Sequence, residues 1–194
     1  MSRMMTESEK LDTTTLGFWL YLMTDVVVFS SLFAVYLVLV NAHAGGPGPQ
    51  DIFSANFALL QTVILLASSF TCGLAAVFLR RGNKRASMGL LGLTAVLGAS
   101  FLALELTEFS KLIAEGHSWR VSGFLSAFFT LVGTHGLHIT IGLLWLGTLL
   151  VYMMRTKQGA DMVRNVTLFA LFWHFLDIIW IFIFTVVYLM GVSS

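Results

Sequence analysis

The stretch FWHFLDIIWIFIFTVVYLMG, residues 172–191, is an almost uninterrupted apolar run that contains His174 and Asp177. About 20 mostly apolar residues suffice for a helix to cross the hydrocarbon core of a bilayer. The run therefore predicts a transmembrane helix. An ionisable side chain near the bilayer centre costs roughly 2.5 kcal/mol or more, so we expect these two residues either to do chemistry or to hold helices together.

Composition extends this prediction to the whole chain of 194 residues. Hydrophobic residues make up 57% of it and charged residues 11%, whereas soluble domains have about 25% charged residues. We predict an all-α integral membrane protein, a bundle of five transmembrane helices. The expected organisation is a polar cytoplasmic tail at 1–15 and one membrane domain at 16–194, with spans at 16–41, 55–79, 86–115, 121–154 and 163–192.

Basic residues near the ends of the spans indicate the orientation. Lys and Arg accumulate in short cytoplasmic loops, and the partition is one-sided if the N-terminus is cytoplasmic and the C-terminus periplasmic. Lys111 and Arg120 then face outward. This topology explains the basic loops without nucleic-acid binding. The cytoplasmic set is Arg3, Lys10, Arg80, Arg81, Lys84, Arg85, Arg155, Lys157 and Arg164.

Small residues mark two of the spans as helix-packing surfaces, either within the five-helix bundle or against another subunit. Glycine lets helix backbones approach closely inside a membrane. Short loops, such as those at 80–85 and 116–120, also predict that successive helices are antiparallel neighbours. The glycines concerned are Gly89, Gly92 and Gly98 in the third span and Gly133, Gly136, Gly142 and Gly147 in the fourth.

Ionisable residues inside the spans are the candidate functional residues. Three pairs have i, i+3 spacing and so share a helix face, and such faces turn away from lipid. At about 1.5 Å per residue, one set lies at a middle depth and is predicted to form a buried polar network: Asp25, His135, His138, His174 and Asp177. Two carboxylates, Glu105 and Glu108, lie nearer the outer surface.

Three interpretations of these residues compete. His135 and His138 with a carboxylate are ligand types that suit zinc or iron, but an isolated H-x-x-H pair is a weak metal signature. Acidic residues and histidines also line proton or ion paths. Hydrogen bonds that join neighbouring helices are the third interpretation, and it is the one we favour. No catalytic, cofactor-binding or metal-binding residue is predicted.

Four stretches resemble subunit III of the haem-copper respiratory oxidases, most closely the five-helix form of bacterial cytochrome bo-type ubiquinol oxidases. They run from the first span to the last, and the pairing of GTHGLH with WHFLDIIW is the most specific feature. The stretches are GFWLYLMTDVVVF at 17–29, AGGPGPQDIF at 44–53, SGFLSAFFTLVGTHGLHIT at 122–140 and FWHFLDIIWIFIFTVVYLMG at 172–191.

The resemblance implies a non-catalytic accessory subunit in a bacterial inner membrane. The implied partners are subunit I, which carries haem and copper, subunit II, a small subunit IV and bound phospholipid. Asp25 matches a membrane-embedded acid of the family, usually glutamate, and Glu108 matches the acid of a Glu-aromatic pair. Alternatives are subunit III of a cytochrome c oxidase or of a nitric oxide reductase relative, and an independent proton or solute transporter.

Overall fold

Five helices make up the computed structural model, which describes residues 7–40, 42 and 55–189. All five are long and apolar enough to cross a membrane, and this confirms the predicted all-helical, five-span fold. Arg3, the stretch 44–53 and the predicted ends of the first and last spans at 41 and 192 lie outside the described residues. The helices are α1 Glu7–Leu39, α2 Ala55–Arg80, α3 Lys84–Ala114, α4 Gly123–Arg155 and α5 Ala160–Ile183, and a π-helix at Phe184–Leu189 continues α5.

Local signals in the sequence determine several helix ends. The side chains of Asn83 and Ser122 each accept a hydrogen bond of 3.1 Å from the backbone N–H three residues later, and so cap α3 and α4. Gly82 and Gly116 follow α2 and α3 with φ of 82° and 85°. This left-handed conformation is open to glycine without steric cost, and it reverses the chain within a short loop.

The packing order places α5 against α1, α2 and α4, while α3 lies against α2 and α4. The prediction that successive helices are neighbours therefore holds for α2–α3, α3–α4 and α4–α5. The main contacts of α1, in contrast, are with α4 and α5. The connection at 40–54 is longer than the other three, which allows α1 to reach these more distant helices.

Trp173 of α5 joins three other helices in the interior. Its side chain is 1% exposed. Its ring edge lies so close to α3 and α4 that an added Cβ would be 2.8 Å from the ring at Gly98 and 2.9 Å at Gly142. The indole N–H donates a 3.0 Å hydrogen bond to Ser68 Oγ of α2. The indole is therefore both tightly enclosed and hydrogen-bonded.

The other glycines of these two spans differ in their surroundings. Gly136 also allows a close approach, because an added Cβ would lie 2.5 Å from Glu105 Oε1. At Gly89, Gly92 and Gly147, in contrast, it would meet no described atom within 4 Å. Within the described part of the chain these three glycines therefore make no close helix contact, and packing on another subunit stays a prediction for them.

The glycines around Trp173 provide a stability test. We expect Gly98→Ala and Gly142→Ala to destabilise the fold by about 1–3 kcal/mol, because an added methyl group would overlap the indole. Thermal unfolding of the purified chain in detergent measures this. The matched controls Gly92→Ala in α3 and Gly147→Ala in α4 should be neutral or slightly stabilising, since alanine favours helices by up to about 1 kcal/mol. Equal melting temperatures for all four variants would contradict this account of the packing.

Candidate functional site

The predicted polar network is divided between separate places in the structure. Asp25 and His138 lie where α1 meets α4, His135 is buried among aromatic rings in the core, and His174 and Asp177 of α5 face α2. This differs from the prediction of one layer shared by all five residues. The reason is the helical rotation of about 100° per residue: Trp173 faces the bundle interior, and the next residue, His174, therefore points to another side of α5.

Asp25 and His138 link α1 to α4. His138 Nε2 lies 3.8 Å from Asp25 Oδ1, an ion-pair distance that is too long for a hydrogen bond. His138 Nδ1 lies 2.7 Å from the backbone carbonyl oxygen of Thr134. A carbonyl oxygen can only accept, so Nδ1 carries a hydrogen and the ring is oriented with Nε2 toward the carboxylate. The first and fourth helices are thus joined by a polar contact at middle depth.

His135 is a packed aromatic ring in this structure. It is 0% exposed and stacks on Trp180 with ring centroids 5.4 Å apart and an angle of 29°. The edge-on neighbours are Phe101 at 5.9 Å and Phe29 at 6.4 Å. Neither ring nitrogen has a hydrogen-bond partner among the described residues. His135 therefore contributes to the core by its ring faces.

Glu105 and Glu108 lie on one side of α3, within three turns of its end at Ala114. Glu105 is 2% exposed, and its carboxylate occupies the space that glycine leaves at position 136. Glu108 Oε2 accepts a 3.2 Å hydrogen bond from the hydroxyl of Tyr188. The pair is thus enclosed by α4 and by the π-helix.

The sequence alone did not point to Tyr188 or to Gln61 as neighbours of these carboxylates. Gln61 lies close enough to Glu108 to interact electrostatically, but its amide makes no hydrogen bond of normal geometry within the described part of the chain. Tyr188 belongs to the apolar stretch quoted first, and Gln61 is one of two amide side chains in the second span, the other being Asn56 near its start. The sequence signal that could have pointed to Gln61 in advance is its own polarity within an otherwise apolar helix.

His174 and Asp177 form the second cluster, with Ser69 of α2. The distance between Ser69 Oγ and His174 Nδ1 is 2.6 Å. Asp177 lies beside both side chains, and its Oδ1 has no hydrogen-bond partner in the described structure. The cluster borders a notch on the outer surface between α2 and α5, whose remaining lining residues are Leu66, Phe70, Gly73 and Leu74.

Within residues 7–40, 42 and 55–189, no three His, Cys, Asp or Glu side chains form a group suited to a metal ion. The single cysteine, Cys72, is buried in α2. What the two clusters offer chemically is polar contact between helices, in the form of Asp25 beside His138 and of a hydrogen bond between Ser69 and His174.

Comparison with known proteins relates this architecture to one family. The family model for cytochrome c oxidase subunit III matches residues 7–192. The chain is 52% identical to the cytochrome bo(3) ubiquinol oxidase subunit 3 of Pseudomonas aeruginosa, over 92% of this chain and 85% of that protein. It is 42% identical to the quinol oxidase subunit 3 of Bacillus subtilis, over 97% of this chain and 92% of that protein. It is 43% identical to the cytochrome c oxidase subunit 3 of Bacillus sp. PS3, over 91% of this chain and 85% of that protein.

The division into two clusters is testable by double-mutant cycles. We expect Asp25→Asn together with His138→Ala to cost less stability than the two single effects summed, because both remove the same contact. Polar couplings in membranes average about 0.6 and reach about 1.7 kcal/mol. Thermal stability in detergent and the yield of folded protein measure the coupling.

The control pair combines Asp25→Asn with His174→Ala. These residues belong to different clusters, so their effects should add within about 0.5 kcal/mol. Additive losses for Asp25 with His138 would show that the two residues do not interact directly, whereas coupling in the control pair would argue for a single network.

Proposed function

Because the chain belongs to the cytochrome c oxidase subunit III family, we propose that it is the non-catalytic accessory subunit III of a bacterial cytochrome bo-type ubiquinol oxidase. The similarity to the Pseudomonas aeruginosa protein over nearly the whole chain carries this proposal. The lower identity to the cytochrome c oxidase subunit of Bacillus sp. PS3 makes a cytochrome c oxidase the second candidate.

The proposed role is to stabilise a complex that oxidises ubiquinol, reduces oxygen to water and pumps protons. Haem and copper belong to subunit I in this proposal, and this chain packs against subunit I together with subunit II and a small subunit IV. Two features of the bundle support a structural role. Its interior is closely packed around Trp173 and Trp180, and large apolar side chains cover its outer surface, where lipid and partner helices make contact.

We place the basic end of the bundle in the cytoplasm of the bacterial inner membrane. The loops at 81–83 and 156–159 lie at this same end. Lys84 Nζ donates a 2.6 Å hydrogen bond to the carbonyl oxygen of Thr156, and the Gln158 amide donates one of 2.7 Å to the carbonyl oxygen of Leu79. Lys and Arg are concentrated in these loops and at the adjoining helix ends, and the positive-inside rule supports a cytoplasmic position.

Cysteine labelling tests this orientation. In a chain with Cys72 replaced by Ser, we expect Trp119→Cys to react with a membrane-impermeant maleimide added outside intact spheroplasts. Lys157→Cys should react only after permeabilisation. Both positions are exposed in the structure, so access across the membrane is what separates them. The reverse pattern would overturn the proposed orientation.

Bound phospholipid is part of the proposal, and a groove on the bundle surface is the position we assign to it. An apolar groove of about 580 Å³ lies between α1 and α5. Phe29, Phe33 and Phe182 line it, together with aliphatic side chains such as Val26 and Ile178. An acyl chain needs no hydrogen bonds, and this lining offers almost none. The groove therefore fits the tail of a lipid.

Purification through a tag on this chain in mild detergent tests the function. We expect reduced-haem absorption bands, a larger His-rich membrane subunit by mass analysis, ubiquinol oxidase activity and retained phospholipid. A matched preparation of an unrelated tagged membrane protein from the same cells controls for adventitious haem. A complex that oxidises cytochrome c instead would favour the second candidate. A colourless lone chain that moves protons in liposomes would contradict both.

A further inference from the structure

The polar notch between α2 and α5 combines an outward opening with ionisable groups at middle depth. We propose that a transmembrane helix of a partner subunit docks here and inserts a hydrogen-bonding side chain beside His174 and Asp177. This inference deepens the proposed function and rests on it, since it requires a complex with other membrane subunits.

The notch opens to the lipid-facing surface of the bundle. Phe70 at its rim is 68% exposed and Leu66 is 44% exposed. Its volume is about 380 Å³, which exceeds that of about ten water molecules at roughly 30 Å³ each. Something in the membrane must therefore occupy the notch.

The polar groups of the notch are incompletely satisfied by this chain. Ser69 Oγ and His174 Nδ1 bond to each other at 2.6 Å. The other ring nitrogen, Nε2, lies next to Gly73, where an added Cβ would be 3.5 Å away. Asp177 Oδ1 has no partner among the described residues. A hydrogen bond left unmade in an apolar medium is costly, so an occupant that supplies one is favoured.

Depth excludes the lipid headgroup as that occupant. Ser69 lies eleven residues before Arg80, and His174 lies fourteen residues after Ala160. At 1.5 Å per residue these separations are about 17 and 21 Å, so both residues lie near the middle of a core about 30 Å thick. Headgroups do not reach this depth, and acyl chains offer no hydrogen bonds.

The rim of the notch also suits a helix. Ser69 and Gly73 of α2 both lie against His174 of this chain, so a docking helix would contact the exposed side chains of Leu66 and Phe70 at the rim. In a membrane, close packing and hydrogen bonds between side chains drive helix association, and this notch offers both. The apolar groove between α1 and α5 offers only close packing. The two surfaces therefore differ in the occupant that each one fits.

Photo-crosslinking in the assembled complex tests the proposal. Phe70 is replaced by p-benzoylphenylalanine, the complex is irradiated in native membranes, and the adducts are identified by mass analysis. Leu144 of α4 is the matched control, because it is 69% exposed and lies eleven residues before Arg155, as Phe70 lies ten before Arg80. We expect adducts of position 70 with a haem-oxidase subunit, several-fold more abundant than at position 144.

Adducts of position 70 with lipid alone, or with a second copy of this chain, would overturn the docking proposal. So would equal subunit adducts at positions 70 and 144. These outcomes leave the proposed function intact if haem-bearing subunits still co-purify. If no haem-bearing subunit co-purifies with the unmodified chain, the proposed function itself fails, and the two failures are thereby distinguished.

A second variant tests the notch without altering its polar groups. Gly73→Leu fills the space beside His174, and Gly147→Leu adds the same side chain at a position of α4 that faces open space. We expect Gly73→Leu to lower severalfold the amount of partner subunit that co-purifies, while the folded chain retains the melting temperature of the Gly147→Leu control. Unchanged co-purification would overturn the proposal.

Discussion

The burial of one indole ring determines how four of the five helices meet. Trp173 fits between α3 and α4 only because residues 98 and 142 have no side chain, and its N–H would be costly to bury without a partner. Ser68 supplies that partner from α2. Trp180 repeats the arrangement two turns later on α5, since its N–H donates a 3.0 Å hydrogen bond to Thr62 Oγ1, also of α2. Close packing and one hydrogen bond per indole together define the position of α5.

The remaining buried polar groups follow from this position. Once Trp173 faces inward, Trp180 can cover the face of His135, and His174 is turned toward α2. α1 is attached differently. It contacts α4 through Asp25 and His138 and otherwise by apolar side chains such as Phe29. These polar residues therefore join particular pairs of helices, α1 with α4 and α2 with α5.

The outer surface of the bundle differs in chemistry from place to place, and this bears on how an accessory subunit works. The groove between α1 and α5 is apolar and suits lipid, whereas the notch between α2 and α5 has a histidine, a serine and a carboxylate at mid-membrane depth. In the proposed arrangement, lipid and a partner helix contact separate sides of the same helix, α5.

Hydrophobic runs such as 172–191 were sufficient by themselves to predict five membrane-spanning helices, because the bilayer imposes a length and an apolar composition that can be counted along the chain. The i, i+3 pairs likewise showed which ionisable residues share a helix face. Only the tertiary structure decided which face meets which helix. That choice placed His174 with Ser69 and apart from Asp25, and it gave close contacts to Gly98 and Gly142 but none to Gly89 or Gly147. The reason is physical: periodicity fixes the angle of a residue around its own helix, whereas the rotation of each helix depends on large side chains, such as Trp173, from elsewhere in the chain.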